Sequence, residues 1–156
     1  MSKLLISLLA AAGLMFAGAA GAVGEKTTMS RDAYKAEKDK IEAQYKAEKE
    51  KCDGLNGNAK DICKAEAKAK EKVALAELDA KKSGKESDRE KVAKVKAEQD
   101  YAVAKQKCED KSVADKGACK KEAKANEDKA MAELKAQKAQ NKAENKAEKK
   151  TASSKS

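Results

Sequence analysis

The sequence predicts an all-α protein: two tandem antiparallel helical hairpins, four coiled-coil-like helices in all, each hairpin closed by a disulfide. Three observations lead there. The 156-residue chain has no Pro, and four of its eight Gly fall in the first 24 residues; Lys, Ala and Glu, all strong helix formers, dominate the remainder. Shifting the chain by 56 places Tyr45 on Tyr101, Cys52 on Cys108, Cys63 on Cys119 and Ala74-Leu-Ala-Glu-Leu78 on Ala130-Met-Ala-Glu-Leu134, with 17 identities in the 36 positions 45–80. Lys/Ala/Glu bias inflates such a count, but it does not bring four cysteines and two tyrosines into register. Finally, the cysteine pairs sit where one helix should end and the next begin.

Residues 1–22 read as a secretory signal. Lys3 supplies the basic start, Leu4–Phe16 the apolar stretch, and Ala17–Ala22 the small residues before a cleavage site. Ala20-x-Ala22 places cleavage between Ala22 and Val23, with Ala17-x-Ala19 the second choice. An uncleaved anchor would want about 20 strongly apolar residues, whereas the last eight of this stretch are mostly Gly and Ala. The first cysteine is Cys52, so no cysteine at the cleavage site is available to take a lipid. Residues 23–29 then form a flexible start to an exported chain, which implies an oxidising compartment.

In the exported part the remaining glycines are Gly24, Gly54, Gly57, Gly84 and Gly117. Those after Gly24 mark three breaks, which divide the chain into helices near 30–52, 59–82, 88–108 and 117–148. Ser30 is placed to cap the first, and Ser87-Asp-Arg-Glu90 has the capping-box form at the third. Opposite charges four apart, such as Glu42 and Lys46 or Glu66 and Lys70, each add a few tenths of a kcal/mol. The hairpin units are 30–83 and 84–137. From 138 to 156 no large apolar residue remains, and a basic frayed or disordered tail is expected.

Cys52 and Cys63 enclose ten residues, as do Cys108 and Cys119. Four cysteines allow three pairings; the repeat favours Cys52–Cys63 and Cys108–Cys119, because each unit is then self-sufficient. A crossed pattern, Cys52–Cys119 with Cys63–Cys108, would instead clamp the units together. Closing a loop of this length stabilises by about 3 kcal/mol in the chain-entropy treatment. Counting outward from each bridge sets Ile41 against Ala74 and Leu75, Tyr34 near Leu78, and Val92 and Val95 beside Met131 and Leu134. The zinc alternative fits poorly, since structural zinc favours cysteines two to four residues apart. A redox relay would want C-x-x-C or a thiolate-stabilising setting.

Composition excludes much chemistry. With no His there is no imidazole for acid–base catalysis or metal ligation. Only 14 Val, Ile, Leu and Met follow residue 22, below what a globular core with a concave pocket needs. No phosphate-binding glycine loop or nucleophile elbow occurs, so neither an enzyme nor a cofactor is expected. After cleavage 35 Lys and Arg face 27 acids, a charge of +8, and only Arg31 and Arg89 are arginines. Most of this is the solvated face of polar helices. The functional reading is attraction to anionic envelope components, concentrated at Lys142, Lys146, Lys149, Lys150 and Lys155; another envelope protein is a second kind of partner. Nucleic acid is not expected, for want of arginine forks and stacking aromatics, and no membrane-spanning segment is expected once the signal is removed.

The signal, the segments YKAEKEKC (45–52) and YAVAKQKCED (101–110) and the Lys/Ala/Glu helices resemble a group of small, uncharacterised exported proteins of Gram-negative bacteria, loosely labelled TolA-like cell-envelope proteins. The likeness to TolA itself is one of composition, to its Ala/Lys/Glu-rich periplasmic helical region, so its role in an energy-coupled complex is not carried over. The group carries no activity that could be assigned to residues here; the residues themselves point to a non-enzymatic periplasmic or secreted helical protein with a structural, spacer or binding role in the cell envelope. A stress-related chaperone-like protein is the alternative, and it would need an exposed apolar groove. A metal-binding protein is a third reading.

Overall fold

The computed structural model describes residues 29–153. The signal segment with its Ala22–Val23 junction, and the last three residues, lie outside them. Four α-helices follow in order, α1 Arg31–Cys52, α2 Gly57–Ser83, α3 Glu86–Lys107 and α4 Val113–Ser153, with a 3₁₀ turn Cys108–Asp110 after α3. Among the described residues there is no strand, and the all-α hairpin pair predicted from the sequence is what the chain forms.

The helix ends show why the breaks fall where they do. Ser30 caps α1, its Oγ accepting from the Ala33 N–H at 3.2 Å, and Asp32 near the start with Lys49 and Lys51 at the end complement the helix dipole. Gly84 closes α2 in the left-handed conformation at φ 63°, where a Cβ would be strained. The expected capping box at Ser87 is not used: α3 starts at Glu86, two residues before the expected 88. Ser83 takes part of that role, its Oγ accepting from the Lys85 N–H at 3.1 Å. The fourth helix also starts earlier than its glycine suggested. Ser112 accepts from the Asp115 N–H at 3.2 Å and donates to the Asp115 carboxylate at 2.6 Å, so a Ser-x-x-Asp cap places Gly117 inside α4.

Packing joins the units into one row. The α2–α3 seam is the most extensive, α1 packs on α2, and α4 packs on α3. Among the described residues no packed face joins α1 to α3 or α4, so the four helices make an open meander rather than a closed bundle. Five of the nine buried positions among the described residues are Ala, namely Ala67, Ala76, Ala80, Ala97 and Ala123; the others are Leu78, Gln99 and the cysteines Cys52 and Cys108. Small side chains let helix axes approach closely but remove little apolar area from water.

At about 100° per residue, Ile62 and Val73 of α2 and Val92 and Val103 of α3 lie along the central seam, whose groove is lined by Ala69, Val103 and Ala104. The 56-residue shift carries Ile62 and Val73 to Ala118 and Lys129 on α4, and Val92 and Val103 back to Ala36 and Ala47 on α1. All four of these are exposed. Every large apolar seam residue is therefore Ala or Lys on an outer helix, which ends the row after two units.

The same count corrects one expected contact. Met131 and Leu134 share their groove with Ser87, Glu90, Lys91 and Lys94, while Val92 turns to α2 and Val95 to the side between the two neighbours. Where the sequence places a frayed tail from 138, α4 runs on without a break through Ser153; what changes is its surroundings. Asn141 is the last half-buried residue among those whose side chains are described. Beyond it, among the described residues, only Glu86 and Glu90 at the start of α3 still border α4, beside Asn145 and Lys146, and the order of this end rests mainly on propensity.

Candidate functional site

Both cysteine pairs lie at one end of the row, where α1 and α3 finish and α2 and α4 begin. Cys52 bonds Cys63 and Cys108 bonds Cys119, each across 11 positions with Cα atoms 5.6 Å apart. Cys52 is 0% and Cys108 1% exposed, while Cys63 and Cys119 are half-buried. The loops reach this common geometry by different means. In the first, Asn56 is extended and Gly57 takes φ 56°; in the second, the 3₁₀ turn and the Ser112 cap do the work with no positive φ.

Beside each bridge stands a carboxylate held between two lysines. Asp53, immediately after Cys52, lies 3.2 Å from Lys60 and 3.6 Å from Lys64. Glu109, immediately after Cys108, lies 3.1 Å from Lys116 and 2.5 Å from Lys120. These are the same three positions shifted by 56. Sequence reasoning missed this clamp, although its signal was there: an acid after the first cysteine and lysines seven and eleven residues beyond it, one helical turn apart. The clamp answers a dipole problem. An acid just past a helix C-terminus and a lysine in a first turn are each unfavourable alone, and pairing them across the loop neutralises both. Hydrogen bonding and charge from Lys60, then Lys64, hold the Asp53 carboxyl below its ordinary value; Lys120, then Lys116, do the same for Glu109.

Two contacts tie the stapled end of the first unit to the end of α3. The Asn58 amide donates to the Gln106 carbonyl at 3.0 Å, and Lys107 meets Glu66 at 2.7 Å. At the other end of the first hairpin, the Tyr34 hydroxyl donates to Asp79 at 2.7 Å, and Lys82 Nζ sits 3.9 Å from the ring centroid. The Asp79 hydrogen bond is the main cause that holds the phenol above its usual value, with burial second. Tyr101 has a weaker version of this contact, with Lys124 5.9 Å from its centroid.

Among the described residues no three or more His, Cys, Asp or Glu converge on a point where a metal ion would sit. None of their helices is long and apolar enough to cross a membrane. All four cysteines are held in disulfides, and open grooves edged by lysines run between the helices. No family model matches the chain, and neither a curated protein nor a solved structure was found to be similar to it.

Proposed function

We propose that the protein is exported, cleaved between Ala22 and Val23, and acts without catalysis as an oxidised helical spacer or binding module of the cell envelope. The observation that carries this reading is the pair of disulfides closed within each unit and buried at one cysteine of each, which an exported protein retains. The signal-like start and the thin Ala seam support it, since so small a core leans on its staples.

The contact surface in this reading is the far end of α4. Lys138, Lys142, Lys146 and Lys150 recur every four residues along one stripe, with Glu144 on the opposite side. About 41 residues at 1.5 Å each make α4 some 60 Å long, against about 33 Å for α3, so a basic helix end projects beyond the row towards an anionic partner. Two measurements test the proposal. The form recovered from the periplasm should begin at Val23 and weigh about four hydrogens less than its reduced form. It should sediment with vesicles containing phosphatidylglycerol but not with purely zwitterionic ones, and a stop after Gln137 should abolish that binding. Four alkylatable thiols in the exported form would overturn the reading.

A further inference from the structure

The duplication compares one groove in two states. In the first hairpin Tyr34 reaches from α1 to α2, its hydroxyl on Asp79 and its ring under Lys82; Leu78, one residue before Asp79, is only 4% exposed. In the second hairpin the shift by 56 puts Glu90 in place of Tyr34, Lys135 in place of Asp79 and Lys138 in place of Lys82. The aromatic ring is gone. Glu90 extends to Lys138 at 2.8 Å, Leu134 is half-buried where Leu78 is buried, and an open groove of about 360 Å³ runs between α3 and α4 over Met131 and Leu134. That volume is at the small end of the range for ligand pockets.

The rim defines the charge of what would fit. Lys91, Lys94, Lys135 and Lys138 surround the two apolar side chains, against the single acid Glu90. Lys138 is taken by Glu90 and Lys94 lies 3.7 Å from Glu98, whereas among the described residues Lys91 and Lys135 have no acidic partner within 4 Å. Lysine stems add apolar wall while their ammonium groups stay in water. We infer that this groove binds a single-chain amphiphilic anion free in solution, its hydrocarbon lying on Met131 and Leu134 where the first hairpin lays its own tyrosine, its anionic head between Lys91 and Lys135. The site shares only Lys138 with the basic stripe of α4, and it does not depend on that stripe binding a surface.

The test titrates decanoate, below its micelle concentration, into the isotopically labelled oxidised protein, with decanol as the uncharged control. Saturable shifts confined to residues 87–94 and 131–138 are expected, with decanol at least about tenfold weaker. Glu90→Tyr combined with Lys135→Asp rebuilds the self-filled groove of the first hairpin and should weaken decanoate at least tenfold while the helical spectrum and Tm are kept. Lys91→Glu, on an exposed position, should weaken it similarly and guards against a repacking artefact. Equal binding of decanol, unchanged affinity in both variants, shifts spread along the α4 end, or no saturation by about 1 mM would each overturn the proposal.

Discussion

The two hairpins descend from one unit, and they differ most where their neighbours differ. The α1–α2 hairpin closes its loop with a left-handed Gly57, seals its far end with Tyr34 and buries Leu78. The α3–α4 hairpin closes with a 3₁₀ turn and a serine cap, carries Glu90 in place of the tyrosine and leaves Leu134 half-exposed. Three things are held constant: the 11-position spacing, the 5.6 Å approach of the bridged Cα atoms and the carboxylate between two lysines. Loop sequence and core content were free to change as long as closure was kept. The staple is thus the conserved physical requirement within this chain, and packing is secondary to it.

Breaking a staple should have the largest effect. Removing one bridge costs about 3 kcal/mol in the chain-entropy treatment, a fall in Tm on the order of 10 °C. Cys108→Ser with Cys119→Ser should lower Tm more than Cys52→Ser with Cys63→Ser, because the second hairpin buries less. Both variants should keep much of their 222 nm ellipticity at low temperature, and equal losses would show that the far ends hold the hairpins equally well.

The next effect compares equivalent leucines. Leu78→Ala removes the one large aliphatic that is buried among the described residues and should cost about 3 kcal/mol. Leu134→Ala, at a half-buried groove position, should cost about 1 kcal/mol. Urea midpoints measured side by side decide this, and a larger loss at Leu134 would contradict the comparison.

Glycine substitutions should have opposite signs in the two loops. Gly57 has φ 56°, so Gly57→Ala should destabilise by about 1 kcal/mol. Gly117 lies inside α4 with nothing within 4 Å of a Cβ, so Gly117→Ala should stabilise by up to about 1 kcal/mol. Thermal melts of the two variants check the sign directly.

That pair also shows what was legible in the sequence. The duplication, the bridges and the number of helices followed from residue types and spacing. The start of α4 did not, because Gly117 reads as a breaker while the competing signal, Ser112-x-x-Asp115, lies five residues earlier. The neighbours of Val92 were equally hidden: facing positions within a hairpin follow from its loop, but which helix takes the other side of α3 depends on how the units pack. The clamps at Asp53 and Glu109 were readable by comparing charges across the shift.

The smallest effect concerns those clamps. Both carboxyls have folded-state values below their ordinary 3.8 and 4.5. Their contribution is complete above those ordinary values and is lost as pH falls through the lower folded-state ones. Tm should therefore decline below about pH 4.5, and less steeply in Asp53→Asn with Glu109→Gln. Because both carboxylates are exposed, the difference should shrink in high salt.

Peptide mapping of the exported, non-reduced protein tests the self-contained staples most directly. Trypsin cuts after Lys51, Lys60 and Lys64, and after Lys107, Lys111, Lys116 and Lys120. Residues 52–60 should emerge joined to 61–64, and 108–111 joined to 117–120, each pair separating into its two peptides on reduction. Recovery of 52–60 joined to 117–120 would contradict the account, since the cysteines would then clamp the units to each other rather than close each one.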